Sequence, residues 1–166
     1  MKIYLVRHGI ASERIGGSVL TDSMRPLTED GRKESRSVAM GLRKINVKPD
    51  FFVSSPLLRA KQTAEIFADV LGDSKSLRIS DALAPGGSAQ KLYSFMQEIG
   101  LFQEIMLFGH EPDIGILSAK FMGAPDEMRI PFKKSGVCRV DIGDLPPSSA
   151  GVLRWFITPK IAINLC

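Results

Sequence analysis

The sequence predicts a three-layer α/β/α sandwich built on a mostly parallel sheet, and two observations carry that prediction. Short β-rich runs alternate with longer segments of helical apolar spacing along the chain. The two clearest runs, within Lys2–Arg7 and Ile105–Phe108, are unbroken apolar cores, as expected of strands covered on both faces. Lys2–Arg7 reads as a buried strand opening into a loop at Gly9, and the loop runs through Gly16 and Gly17 to Pro26. Thr28, with Glu29 and Asp30 behind it, is a capped helix start, and Val38, Leu42 and Ile45 continue an apolar stripe until Asn46–Pro49. Phe51–Ser55 is a second strand. Ser55 and Pro56 occupy the cap and first helical positions of a helix whose face is Leu57, Ala60, Ala64, Phe67 and Leu71. Leu77–Ile79 is a weak strand, Pro85–Ser88 a Gly-rich loop, Gln90–Ile99 a helix, and Ile105–Phe108 a strand closed by Gly109. A helix over Ile114–Met122 precedes strands at Val137–Ile142 and Leu153–Ile157, which add an antiparallel edge beyond the Pro-rich turn at Leu145–Ala150. No repeat or linker divides residues 1–166, so one domain is expected.

The 166 residues are 44% hydrophobic, enough for one buried core. The net charge of +4 is dispersed over 22 basic and 18 acidic residues, which suits an anionic ligand without pointing to nucleic acid. Seven per cent aromatic content gives no stacking platform for bases. The start, MKIYLVRHG, falls short of a secretion signal and no stretch reaches membrane-spanning length, so a cytoplasmic protein without a membrane partner is expected. Cys138 and Cys166 form neither a disulfide framework nor a zinc spacing and read as free thiols. With only two histidines, and no CxxC or HxxxH pair, neither a metal nor another cofactor is expected.

In open parallel sheets ligands bind beyond the carboxyl ends of the strands. Both histidines, His8 and His110, fall there, each beside a glycine. Taken singly, a strand-end histidine is more often a hydrogen-bonded loop residue; two of them with arginines nearby are not explained that way. Arg7 and His8 would point to opposite faces of a regular strand, so a shared ligand predicts an irregular strand end at Gly9. Arg59 lies on the first turn of the helix after Ser54–Ser55–Pro56, where free amides favour an anion. Two guanidinium groups, a helix start and two imidazoles suit phosphoryl better than carboxylate, because guanidinium donates paired hydrogen bonds to phosphate oxygens. A neutral imidazole then attacks phosphorus, giving a phosphohistidine intermediate.

These residues fall in motifs. LVRHG at Leu5–Gly9, RPLTEDG at Arg25–Gly31, SSPLLRAKQTA at Ser54–Ala64 and GHEP at Gly109–Pro112, in this order and spacing, resemble the histidine phosphatase superfamily over nearly the whole chain. Within it the chain is most similar to the SixA-type protein phosphohistidine phosphatases, which act on histidine-containing phosphotransfer proteins. The resemblance implies a phosphoglycerate mutase-like fold, His8 as nucleophile, Arg7 and Arg59 as phosphate ligands, and His110 as a second imidazole on the phosphoryl group. Larger relatives carry an acidic proton donor after the third strand. Ala82–Gln90 contains no Glu, which argues against mutase chemistry and for a phosphohistidine substrate, since an imidazole leaves a P–N bond with less help than an alkoxide. Glu111 is the alternative donor, or else an exposed loop Glu without a catalytic role; Asp22 and Arg25 are further candidates for substrate contact. The remaining alternatives are a small phosphate monoester as substrate and a non-catalytic module that binds phosphoproteins. The flanking segments at Ala11–Met24 and Ser80–Ser88 are short, which favours a pocket open to a protein substrate.

Overall fold

The computed structural model describes residues 1–13, 22–72, 76–125, 128 and 130–165. The order is β1 (Lys2–Arg7), α1 (Glu29–Lys44), β2 (Phe51–Ser54), α2 (Leu58–Leu71), β3 (Leu77–Ile79), α3 (Ala89–Ile99), β4 (Glu104–Gly109), α4 (Asp113–Phe121), β5 (Val137–Asp141), β6 (Val152–Ile157) and α5 (Pro159–Ile163). The strands form one sheet in the order β3-β2-β4-β1-β5-β6. The pairings among β3, β2, β4 and β1 are parallel, and β5 and β6 add the expected antiparallel edge.

Alternation along each strand sends side chains to opposite faces, and both faces are covered. Ile3 and Leu5 of β1 pack with Ile105 and Leu107 of β4, Leu92 and Met96 of α3, and Ile114, Leu117 and Phe121 of α4. Tyr4 and Val6, one residue out of phase, pack with Met106 and Phe108, with Val38 and Leu42 of α1, and with Phe67 and Leu71 of α2. Every central residue of β1 is therefore buried, which explains its unbroken apolar run. Cys138 sits fully buried in the first of these cores, where loss of solvent pushes its thiol up to about 12; Cys166 lies outside the described residues. No helix among the described residues is long and apolar enough to cross a membrane.

Several boundaries differ from expectation. Ser55 and Pro56 do not open α2: its N-cap is Leu57, whose amide donates to the Ser55 hydroxyl (3.3 Å) while that hydroxyl also meets His110 Nε2. Ile45 does not extend the stripe of α1; it is the C-cap and 40% exposed. Ser88 caps α3 one residue early, and a single 3-10 turn at Asp81–Leu83 occupies the segment before it. The short helix α5, begun by Pro159, has no counterpart among the expected elements. Gly16 and Gly17 lie outside the described residues.

Candidate active site

Parallel register brings three strand ends together. Ser54 of β2 pairs with Phe108 of β4, and Arg7 of β1 pairs with Gly109, so Ser55, His110 and His8 leave the sheet side by side. The Ser55 amide donates to Phe108 O (3.0 Å) and the His8 amide to Gly109 O (3.1 Å), carrying the ladder one residue further. The imidazoles of His8 and His110 stand 5.1 Å apart, centroid to centroid. The expected irregularity is present. In a regular strand successive carbonyls point to opposite sides, whereas the Ser135 amide reaches both Arg7 O (3.1 Å) and His8 O (3.3 Å).

His8 is 9% exposed. Its Nδ1 lies 2.7 Å from Gly9 O, and because a carbonyl only accepts, Nδ1 carries the proton. In the neutral ring the lone pair is then on Nε2, which accepts from Arg59 Nε at 3.3 Å. Burial, aided by the charges of Arg59, Arg7 and Lys134, lowers its pKa to about 4 against the pull of the Gly9 bond. Gly9 has room for no side chain: a Cβ there would sit 2.5 Å from Ser35 Oγ.

His110 is 3% exposed, backed by an apolar recess of about 60 Å³ that Leu83, Leu92, Ile114 and Leu117 line. Its Nε2 is 2.8 Å from Ser55 Oγ. Burial first, then the neighbouring His8, Arg59 and Arg7, lower its pKa to about 3, with Asp22 opposing. Two buried side-chain nitrogens among the described residues have no protein partner, and they are His110 Nδ1 and Arg7 Nε. A buried polar group left without any partner costs about 1–3 kcal/mol, so both nitrogens call for a partner from outside the protein, water or ligand.

Arg59 is the second residue of α2 and 6% exposed. Thr63, one turn later, donates to Arg59 O (2.7 Å) and accepts from the Gly9 amide (3.0 Å), tying α2 to the strand end that carries His8. Arg7 is half-buried; its Nη1 donates to Phe132 O at 2.7 Å. The second-tier candidates are also brought in. Asp22 accepts from Arg59 through its backbone oxygen (2.8 Å) and Oδ2 (3.2 Å), and from Arg25 Nη1 through Oδ1 (2.9 Å). Arg25 is held by Ser12 O (2.8 Å) and so reaches the site through Asp22. Glu111 is not an exposed loop residue: it is half-buried and its Oε1 accepts from the Phe132 amide at 2.7 Å.

Residues without a sequence assignment complete the frame. Ser55 orients His110, and Gln62 Oε1 accepts from the Leu27 amide (2.8 Å), bracing the segment that follows Arg25. The SSPLLRAKQTA motif contains Ser55, Gln62 and Thr63, so the signal is in the sequence, but charge and position on the helix single out Arg59 alone. Gly31 allows the start of α1 to press on the loop behind His8, since a Cβ there would lie 2.1 Å from Ile10 O. Among the described residues no three His, Cys, Asp or Glu side chains are grouped to hold a metal ion.

An α/β fold with two imidazoles at its strand ends and two arginines beside them is the arrangement of a phosphoryl-transfer protein, and comparison with known proteins gives the family. Residues 3–84 match the model of the histidine phosphatase superfamily (branch 1). The phosphohistidine phosphatase SixA of Escherichia coli is 30% identical over 162 residues, covering 96% of this chain and 94% of that protein. An uncharacterized protein of Picosynechococcus is 33% identical over 140 residues, 82% of each chain. The structure of the protein histidine phosphatase SixA complexed with tungstate superposes with a TM-score of 0.82 at 29% identity, covering 96% of this chain and 98% of that one. The chain belongs to the histidine phosphatase superfamily, with the fold of SixA and the phosphoglycerate mutase-like structures, and its activity is that of a phosphatase.

Proposed function

We propose that this phosphatase removes phosphate from phosphohistidine on a protein, with His8 as the nucleophile. The observation that carries the reading is the fixed tautomer of His8: Nδ1–H is spent on Gly9 O, so Nε2 is unprotonated, its lone pair held only by the Arg59 Nε–H that an incoming phosphoryl group would draw away, and the pKa of the ring is depressed. In the first step Nε2 attacks phosphorus as the P–N bond of the substrate breaks, and the phosphoryl group passes to His8. A departing imidazole whose other nitrogen already carries a proton leaves neutral and needs no strong acid. That fits Ala82–Gln90, which has no acidic residue. In the second step water attacks the phosphorylated His8, releasing phosphate and restoring the free ring. Arg7 Nε and His110 Nδ1 are the nitrogens without a protein acceptor, and with Arg59 they bind the equatorial oxygens. The two guanidinium groups supply the positive charge and the neutral His110 a hydrogen bond, so the proposed mechanism uses no metal ion. The structure of SixA that superposes over 96% of this chain is complexed with the oxyanion tungstate, which supports an oxyanion as ligand here.

The test is an assay of EDTA-treated protein on a phosphohistidine-bearing phosphotransfer domain beside a panel of phosphate monoesters, with His8→Ala as control. Selective dephosphorylation of the domain, lost in His8→Ala, is the expected result. Preference for a monoester would move the substrate and keep the mechanism; turnover by His8→Ala would remove the nucleophile. Phosphate binding without turnover of any substrate would indicate a binding module.

A further inference from the structure

We propose that Lys133, Lys134 and Lys160, beside Arg7, form a docking surface for an acidic face of the phosphorylated protein partner. The proposal rests on the protein-phosphohistidine reading above and adds where the partner touches. An open cleft of about 640 Å³ lies next to the site, and its lining includes these three lysines, Arg7, Thr158 and Glu34. Glu34 is half-buried against Ser135 and Lys134, so it offsets Lys134 more than the other two. All three lysines are exposed, and among the described residues lining the cleft four cations face one acid.

The surface is fixed relative to the nucleophile. Lys133 opens a turn closed by the Gly136 amide on Lys133 O (2.9 Å), with Ser135 at φ 56°. The Ser135 amide bonds the carbonyls of Arg7 and His8, and its hydroxyl pairs with Ser35 Oγ at 3.1 Å. Arg7 donates to Phe132 O on the near side of the same turn. Lys160 stands on α5, whose Ala162 packs so closely on α1 that a Cβ on Gly41 would lie 2.0 Å from Ala162 O. The lysines therefore hold a set position around the strand end that bears His8.

The chemistry of the surface favours a protein over a small anion. A small anion needs converging, desolvated donors, whereas exposed ammonium groups each contribute little in water and act together across a broad contact. Nucleic acid would need stacking groups, and Phe132, the aromatic beside the turn, is 3% exposed. An acidic protein face around its phosphohistidine meets the geometry: the phosphoryl group enters the site while carboxylates meet the rim. Such a rim acts mainly on association, and salt weakens it.

The experiment compares wild type with Lys133→Glu/Lys160→Glu on a phosphorylated histidine phosphotransfer domain with an acidic surface, and on the small phosphoramidate ion. Lys134 is left in place because its charge also reaches His8. The expected result is a fall of at least roughly tenfold in kcat/KM on the domain at low salt, shrinking at about 0.5 M salt, with the phosphoramidate rate within about twofold. Lys133→Gln/Lys160→Gln should lie between. Unchanged kcat/KM on the domain, or equal losses on both substrates, would overturn the docking surface and leave the substrate reading intact. Wild type that consumes phosphoramidate but not the domain would overturn the substrate reading, and the surface with it.

Discussion

Both imidazoles should remain uncharged far below the pH at which histidine ordinarily titrates, and the sequence provides the means to see it, since His8 and His110 are its only histidines. His8 moves from 6.5 to about 4 and His110 from 6.5 to about 3. At about 1.36 kcal/mol per pK unit these shifts correspond to about 3 and about 5 kcal/mol favouring the neutral forms, and part of the His110 shift comes from His8. The sign follows from proton counting. Between pH 6.5 and the depressed native values the unfolded chain binds protons that the folded chain refuses, so stability is unaffected above 6.5 and falls as pH drops towards 4. Long-range 15N–1H spectra of the protein labelled on histidine nitrogen should show the Nδ1–H tautomer for His8 and midpoints near 4 and 3, assigned with His8→Ala. Adding inorganic phosphate should raise both midpoints, since a nearby anion favours imidazolium. A midpoint near 6.5 for His8 in the phosphate-free protein, or the Nε2–H tautomer, would refute the placement of the lone pair. The acid limb of kcat/KM should likewise fall below the ordinary histidine range.

Three further outcomes are expected. Ser55→Ala should free the His110 ring, lowering kcat/KM about tenfold at a stability cost of about 1 kcal/mol by denaturant titration; unchanged kinetics would show that the Ser55 hydroxyl does not position His110. Thr63→Val removes the acceptor for the buried Gly9 amide and should cost about 1–3 kcal/mol of stability, read from the same titration. Asp22→Asn removes a carboxylate that competes with phosphate for Arg59, so product inhibition by inorganic phosphate should tighten roughly fivefold, equivalent to about 1 kcal/mol.

The sheet is legible in the sequence because burial on both faces leaves a plain mark: Ile3–Val6 and Ile105–Phe108 carry apolar residues at every position, as covered strands do. The histidines of the candidate site are legible for a related reason. A histidine directly after such a strand has its position set by the strand, so His8 and His110 fall at strand ends before any distance is known. The same style of reasoning misplaces the start of α2. Ser-Pro has the form of a cap and first helical residue, a local preference worth about 1 kcal/mol, but the Ser55 hydroxyl is shared between the Leu57 amide and a buried imidazole, and α2 begins at Leu58. Helix α5 leaves no stripe to read, because its buried residues are Pro159 and Ala162, too few and too small.

What the sequence does not carry is how the arginines are held. Its place on α2 marks Arg59 as a candidate phosphate ligand, yet its guanidinium also holds Asp22, and Asp22 holds Arg25. That arrangement keeps a cation fixed in a buried position, because a lone guanidinium there would otherwise bear the full cost of lost hydration. Arg7 is steadied differently, by a neutral carbonyl at Phe132, which leaves its charge uncompensated by that bond. The two arginines are thus unequal: under the proposed mechanism one would exchange a carboxylate for the incoming phosphoryl oxygens, while the other brings a buried Nε that no protein acceptor uses. Arg7 should accordingly contribute more net affinity for a dianion than Arg59, and Lys in place of each tests it. Arg7→Lys should raise the inhibition constant of inorganic phosphate by a larger factor than Arg59→Lys; the reverse order would mean that Asp22 leaves without cost when phosphate binds.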